Sequence, residues 1–155
     1  MIQIRKVEAA DVPDLKEVLD TSELFPSEYL DNMLTDYFTN PDTEEIWFTA
    51  VDDSNKKIAI GYCVPEKLTN ATYNLLAIAV HKQFQGEGIG QLMMEFIEDY
   101  LRRNKKRILI VETSSDERYA LTRKFYVKLK YVQMASIKDF WNEGEDKIIF
   151  WKKLN

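Results

Sequence analysis

The chain has 155 residues, a formal net charge of −5, and 45% hydrophobic and 30% charged residues. These values predict one globular domain over residues 1–155 and argue against a protein whose main partner is a nucleic acid. No apolar run reaches the length of a membrane span, so no membrane partner is expected. The single cysteine and single histidine exclude an internal disulfide or a multi-histidine metal site, and they favour a cytoplasmic setting with no metal.

The first third of the chain predicts a strand, two helices and a hairpin. Asp11 is a suitable N-cap, and Asn40-Pro41 ends the second helix because the residue before a proline disfavours helical backbone. The predicted elements are a strand at residues 2–7, helices from Val12 and from Ser27, and hairpin strands at residues 46–51 and 58–64.

The remainder alternates strands with helices. Residues 73–80 are apolar on both faces, which is typical of a central, doubly covered strand. The segment from Ile89 to Leu101 has apolar residues at helical spacing. The later predictions are a strand at residues 108–111, a helix at about 119–130, and strands at residues 131–137 and 147–154.

A glycine-rich segment lies between the central strand and the helix that follows it. Gly86, Gly88 and Gly90 are three of the five glycines in the chain. Backbone N–H groups at a helix start attract anions, and glycine allows a phosphate to approach the backbone closely. The segment therefore predicts a pyrophosphate site, the alternative being a glycine-rich turn without a ligand. The Walker pattern is absent, and the dinucleotide fingerprint fails at Gln91.

The pattern Gln85-x-x-Gly88-x-Gly90 after a buried strand resembles the acetyl-CoA signature of the GNAT superfamily of N-acetyltransferases. The later segment RKFYVKLKYV resembles the second signature of that family. The resemblance implies an α/β fold: a mixed, mostly antiparallel sheet of six to seven strands with a splayed central pair, flanked by four helices. It also implies transfer of an acetyl group from acetyl-CoA to a primary amine, by direct attack in a ternary complex.

The resemblance assigns roles to individual residues. The backbone N–H of Ile78 would stabilise the carbonyl oxygen as it gains charge, and Tyr126 would act as general acid. Helical spacing puts Tyr126 on one face with Tyr119 and Arg123, and puts Leu121, Phe125 and Leu129 on a separate apolar stripe, so Tyr126 need not be in the core. The alternative for Tyr126 is a tyrosine at the core edge. The expected cofactor contacts are Ile78, Ala79, Val80, Gln85, Gly86, Gly88, Ile89, Gly90, Gln91, Tyr119, Arg123 and Tyr126.

Two positions depart from the family pattern. Asn74 stands where some members carry a glutamate base, and an amide cannot accept a proton at neutral pH. Glu112, at the end of a buried strand, is the best carboxylate candidate for the base, the alternative being a partnered strand-end carboxylate. Lys130 stands where the family often has a helix-ending glycine, so a different helix exit is expected.

The acceptor is not specified by these motifs. A small-molecule or peptide amine is expected. Glu23, Glu28 and Asp31 could attract it, the alternative being an acidic surface without that function. Phe140 and Trp141 could wall its pocket, the alternative being that they cap the end of the sheet. His81 is expected to be exposed. A non-catalytic CoA-binding module is the alternative function, and a homodimer through a terminal strand is possible.

Overall fold

The computed structural model describes every residue from Met1 to Asn155, and its elements follow the predicted order. No helix has both the length and the hydropathy needed to cross a membrane. The strands are β1 (Gln3–Lys6), β2 (Ile46–Val51), β3 (Lys57–Pro65), β4 (Thr72–Val80), β5 (Ile108–Ser114), β6 (Val132–Asn142) and β7 (Glu145–Lys153). The α-helices are α1 (Val12–Ser22), α2 (Leu30–Thr39), α3 (Ile89–Arg103) and α4 (Ala120–Lys128).

The seven strands form one mixed sheet in the order β1-β2-β3-β4-β5-β7-β6. The pair β4–β5 is parallel, whereas the registers of β1–β2, β2–β3, β5–β7 and β6–β7 are antiparallel. The β4–β5 register runs only from Thr72 opposite Ile108 to Leu75 opposite Val111, although both strands continue beyond it. The predicted fold class, with its splayed central pair and four helices, is confirmed.

The chain divides into two compact units. The first comprises residues 1–64 and 76–100, and the second comprises residues 65–75 and 101–155. The division passes through β4 between Leu75 and Leu76. The expectation of a single domain over residues 1–155 stays a prediction.

In the first unit, α1 and α2 pack their apolar faces on one side of the strands. Leu15 and Leu34 join Trp47 and Ile60 in a continuous buried cluster. On α3, Phe96 and Tyr100 contact the ring of Phe48, with ring centroids 5.6 and 5.3 Å apart. The helical spacing of apolar residues in the sequence therefore corresponds to the faces of α1, α2 and α3 that are buried against the strands.

In the second unit, Tyr126 of α4 is part of the core. Its side chain is 3% exposed, whereas Leu121 is 79% exposed. The ring of Tyr126 packs against Tyr131 and against Phe150 of β7, with centroids 5.7 and 5.6 Å apart. The expected apolar stripe through Leu121 is therefore wrong, because α4 presents its tyrosine face, and not its leucine face, to the strands.

The expectation that His81 is exposed is also wrong. Its side chain is 3% exposed, and its Nε2 lies 3.2 Å from Oε1 of Glu17. Its Nδ1 accepts a hydrogen bond from the backbone N–H of Gln83 at 3.1 Å. The ring thereby caps the short helix Lys82–Phe84 that follows β4.

Lys130 ends α4 with the backbone conformation that usually requires glycine. Its φ is +73°, and its N–H donates to the carbonyl of Val127 at 3.0 Å. The next N–H, of Tyr131, donates to the carbonyl of Tyr126 at 3.0 Å. The helix exit is thus of the glycine type in spite of the lysine, contrary to the expectation of a different exit.

Candidate active site

The loop between β4 and α3 contains two glycines in left-handed backbone conformations. Gly86 has a φ of +81° and Gly88 a φ of +82°, and no heavy atom lies within 4 Å of a Cβ placed on either one. Residues 85–88 are exposed. The backbone geometry, and not a lack of space in the protein, therefore requires glycine here, and the surface above the loop is open to a ligand.

The start of α3 presents unpaired helix-start amides beside this loop. The first helical hydrogen bond runs from the N–H of Leu92 to the carbonyl of Gly88, at 3.1 Å. The N–H groups of Ile89, Gly90 and Gln91 precede that bond, as at any helix start. No acidic residue occupies the first turn of α3. No carboxylate within that turn therefore competes for these amides, and the helix dipole favours an anion at this position.

Gln85 ties the loop to the end of β4. Its Nε2 donates to the carbonyl oxygen of Val80 at 3.0 Å. Ile78 and Val80 are half-buried and Ala79 is buried. The two predicted contact segments, residues 78–80 and 85–91, both belong to the first unit, and this hydrogen bond joins them. The carbonyl oxygen of Val80, which was expected to pair with the ligand, already accepts a hydrogen bond from the side-chain amide of Gln85.

The remaining predicted cofactor contacts belong to the second unit. Arg123 donates through Nη1 to the carbonyls of Ser114 at 2.6 Å and Asp116 at 2.9 Å. Tyr119 is 38% exposed, and the Arg118 guanidinium lies 5.6 Å from its ring centroid. Arg123 therefore connects α4 to the end of β5. To bind a phosphate of the cofactor, its guanidinium would have to keep these two carbonyl contacts and donate to the phosphate as well, or give them up.

Glu112 belongs to a polar group that we name the carboxylate cluster: Glu66, Asn74, Glu112 and Lys147. Nδ2 of Asn74 donates to Oε1 of Glu66 at 2.8 Å and to Oε1 of Glu112 at 2.9 Å. Nζ of Lys147 lies 2.6 Å from Oε2 of Glu112. Asn74, which departs from the family pattern, and Glu112, the expected base, are thus in direct contact, and both oxygens of Glu112 have partners.

Sequence reasoning missed Glu66 and Lys147. In the connection between β3 and β4, the N–H of Glu66 donates to the carbonyl of Thr72 at 2.8 Å, which places residue 66 across from the start of β4. For Lys147, the antiparallel register pairs Ser114 with residue 147, two positions beyond Glu112. These elements were predicted, but β5 continues to Ser114, past its predicted end at residue 111, so Glu112 lies within the strand. The register, which brings the four side chains together, was not predicted.

The structure locates two of the side chains that were expected to contact or attract the acceptor. Phe140 lies beside the carboxylate cluster, with its ring centroid 4.3 Å from Nζ of Lys147. Asp31 accepts a hydrogen bond from Nζ of Lys16 at 2.6 Å on an exposed surface. Its charge is therefore partly neutralised within the protein.

Comparison with solved structures shows the same fold in other proteins. A GNAT-family protein from Desulfovibrio desulfuricans is 24% identical, with a TM-score of 0.90 over 100% of both chains. A protein from Salmonella typhimurium, solved with its cofactor acetyl-CoA, is 16% identical, with a TM-score of 0.82 over 100% of this chain and 95% of that one. At these identities the likeness concerns the fold.

Comparison of sequences gives the family. An N-acetyltransferase of Methanocaldococcus jannaschii, itself uncharacterised, is 28% identical over 83 residues. The match covers 52% of this chain and 51% of that protein, so the chain matches about half the length of this curated relative. The sequence model of the acetyltransferase (GNAT) domain matches residues 43–133, which is more than half of the chain. The chain therefore belongs to the GNAT acetyltransferase family.

Proposed function

We propose that the chain is an acetyl-CoA-dependent N-acetyltransferase, which transfers an acetyl group to a primary amine of a small molecule or peptide by direct attack in a ternary complex. The observation that supports it most is the loop before α3. Two left-handed glycines form an exposed loop there, beside the backbone amides of a helix start, which can donate to an anion. Family membership supports the pyrophosphate of acetyl-CoA as the anion that would bind there.

The proposed cofactor contacts follow from that anchor. The backbone of Gly86, Gly88 and Gly90 would bind the pyrophosphate. The main chain of residues 78–80 would bind the pantetheine arm as an added strand does. The further proposed contacts are Gln85, Ile89, Gln91, Tyr119, Arg123 and Tyr126. The Salmonella typhimurium relative, solved with acetyl-CoA, supports this choice of cofactor.

The reaction has three requirements that residues of the chain would meet, and the first two concern the acetyl-CoA thioester. The thioester supplies an activated acyl group. The N–H of Ile78 is the proposed donor to the carbonyl oxygen, which gains negative charge in the transition state. The hydroxyl of Tyr126 is the proposed donor of a proton to the departing thiolate.

The third requirement is a neutral amine, since an ammonium has no lone pair for attack. Glu112 is the proposed base, and its side chain is 22% exposed. For Glu112 to accept a proton, its contact with Lys147 must loosen, because that ammonium occupies Oε2 at 2.6 Å. Asn74 holds the other oxygen and thereby fixes the orientation of the carboxylate.

This pairing of Glu112 is also what favours a second candidate function, a non-catalytic CoA-binding module. Such a protein needs the loop before α3 and needs no base. The pair with Lys147 and the amide at position 74 are compatible with it. We infer a cytoplasmic setting for either function, supported by the free thiol of the buried Cys63.

An assay of CoA thiol release separates the candidates. The purified chain is incubated with acetyl-CoA and a panel of small-molecule and peptide amines, with an amine-free control for hydrolysis. Amine-dependent thiol release, with an acetylated product detected by mass spectrometry, supports the transferase. Binding of acetyl-CoA without release on any amine supports the module, and absence of binding contradicts both.

A further inference from the structure

The glycine loop before α3, which is the proposed pyrophosphate site, depends on its flanking segments for its position. Residues 85–88 are exposed, and open space surrounds the Cβ positions of Gly86 and Gly88. The loop is therefore positioned from its two ends, by α3 on one side and by residues 81–85 on the other. We name residues 81–85 the capped turn, because the ring of His81 caps the short helix within it.

Backbone groups tie the first residues of the capped turn to neighbouring elements. The N–H of His81 donates to the carbonyl of Ile58 in β3 at 2.8 Å. The N–H of Lys82 donates to Oγ1 of Thr21 in α1 at 3.2 Å. Within the turn, the N–H of Phe84 donates to the carbonyl of His81 at 2.8 Å. The start of the turn is thus anchored to α1 and β3, and the rest of it depends on bonds to His81.

The contacts of the His81 ring require one specific tautomer. Nδ1 lies 3.1 Å from the backbone nitrogen of Gln83, whose N–H can only donate, so Nδ1 carries no proton. Nε2 lies 3.2 Å from Oε1 of Glu17, a carboxylate that can only accept, so Nε2 carries the proton. The ring also makes an edge contact with Phe84, with centroids 5.7 Å apart. The ring is therefore neutral, and its Nδ1 is the acceptor that caps the turn.

We propose that His81 is a positioning residue for CoA binding: its neutral ring, oriented by Glu17, caps the turn that holds the glycine loop in place for the pyrophosphate. The inference rests on the proposed function and adds a condition to it, which is that binding requires an unprotonated Nδ1. Protonation would turn Nδ1 from an acceptor into a donor that faces the N–H of Gln83. The cap would then be lost, whereas the contact with Glu17 would persist.

The charged groups around the ring leave Glu17 ionised as its partner. Lys56, in the turn between β2 and β3, places Nζ 3.1 Å from Oε2 of Glu17. Hydrogen bonds from Lys56 and His81 lower the pKa of the Glu17 carboxyl. Lys82 is the adjacent charge on the turn itself. Lowering the pH through the range in which an imidazole takes up a proton therefore changes the ring and not its carboxylate partner.

Two substitutions separate capping from packing. His81→Asn keeps an acceptor for the N–H of Gln83, since asparagine is among the preferred residues at a helix N-cap. His81→Gln keeps a donor for Glu17 and fills more of the volume of the ring, but glutamine is not a preferred cap. A packing role therefore favours His81→Gln, and a capping role favours His81→Asn.

Calorimetric titration of coenzyme A into the three full chains is the binding test. At about pH 8, we expect similar affinity for the wild type and His81→Asn, and about fivefold weaker binding for His81→Gln. At about pH 5.5, the wild type should bind about fivefold more weakly than His81→Asn. The comparison at one pH is needed because the 3′-phosphate of coenzyme A also gains a proton in this range.

Nuclear magnetic resonance of the ring nitrogens reads the tautomer without any ligand. His81 is the only histidine, so its signals need no separation from others. We expect a protonated Nε2 and an unprotonated Nδ1 in the wild type at about pH 8. This measurement needs no variant, so it tests the inference even where a substitution prevents folding.

Three results would overturn the inference: a proton on Nδ1 at about pH 8, binding by His81→Gln that equals or exceeds that of His81→Asn, or equal pH dependence in the wild type and His81→Asn. Failure of the wild type to bind coenzyme A at about pH 8 would instead overturn the proposed function. The two failures are therefore distinguishable.

Discussion

Arg5 and Asp11 form a two-bond ion pair in the first unit. Nη1 of Arg5 donates to Oδ2 of Asp11 at 2.7 Å, and Nη2 donates to Oδ1 at 3.0 Å. Asp11 is 1% exposed and also accepts the N–H of Glu8 at 2.8 Å. The pair joins β1 to the turn before α1, and we expect it to control the stability of this end of the chain.

Asp11 makes stability depend on pH. Burial raises the pKa of the carboxyl, but hydrogen bonds from Arg5 and Glu8 and the charges of Arg5 and Lys57 outweigh burial and hold the pKa below its ordinary value. A lowered pKa contributes stability that is present above the unfolded-state value and is lost as the pH falls through the folded-state value. Asp11→Asn should therefore lower the free energy of unfolding by about 2–3 kcal/mol at neutral pH, since it leaves Arg5 unpaired.

Urea denaturation at several pH values checks this prediction. The difference between wild type and Asp11→Asn should shrink as the pH is lowered from about 5 to about 2. Asp53→Asn is the control, because Asp53 forms an ion pair with the chain terminus while 81% exposed, and it should leave stability unchanged. A difference for Asp11→Asn that is constant with pH would contradict the assignment.

Lys130→Gly should stabilise the protein. Lys130 adopts a left-handed φ of +73° at an exposed position, and glycine adopts this conformation without the steric cost of a Cβ. We expect the free energy of unfolding to rise by about 1 kcal/mol, measured by urea denaturation. Lys124→Gly, inside α4, should lower it by a similar amount, and a loss of stability in both variants would exclude this account.

Tyr126 and Tyr131 provide a matched pair for the acid role. Both are 3% exposed, and their rings are 5.7 Å apart in the same core. Tyr126→Phe should reduce kcat about a hundredfold or more in the thiol-release assay, because the thiolate would leave without a proton. Tyr131→Phe should retain most activity at a similar melting temperature. Equal losses in the two variants would mean that the hydroxyls contribute to structure and not to catalysis.

The helices and strands could be predicted because their patterns are local. The helical spacing from Ile89 to Leu101 and the apolar run before His81 correspond directly to α3 and β4. The exposure of Leu121 and the burial of His81 could not be predicted, because both depend on which face of an element meets its neighbours. The same holds for Glu66 and Lys147, whose contact with Asn74 and Glu112 results from strand register.

The homodimer predicted from the sequence has a structural candidate in β6. This strand lies at the end of the sheet order, and all eleven of its residues are exposed, including Met134 at 59% and Trp141 at 47%. A long apolar edge strand tends to pair with another chain. Light scattering should give a dimer mass for the wild type and a monomer mass for Met134→Lys. Leu121→Lys, on the exposed face of α4, should remain a dimer, and a monomeric wild type at all concentrations would exclude the pairing.

The central claim is that the backbone around Gly88 binds the pyrophosphate of acetyl-CoA. Gly88 and Gly144 have φ values of +82° and +80°, and neither has a heavy atom within 4 Å of a Cβ position. Alanine therefore introduces the same backbone strain at both sites, and only one of the two lies in the loop before α3.

Calorimetric titration of coenzyme A into the wild type, Gly88→Ala and Gly144→Ala is the most direct measurement. The account predicts binding by the wild type and Gly144→Ala with similar affinity, and about a tenfold or greater loss for Gly88→Ala, since its methyl group would occupy the approach of the phosphate. Equal affinity in all three chains, or no heat of binding with the wild type, would contradict it.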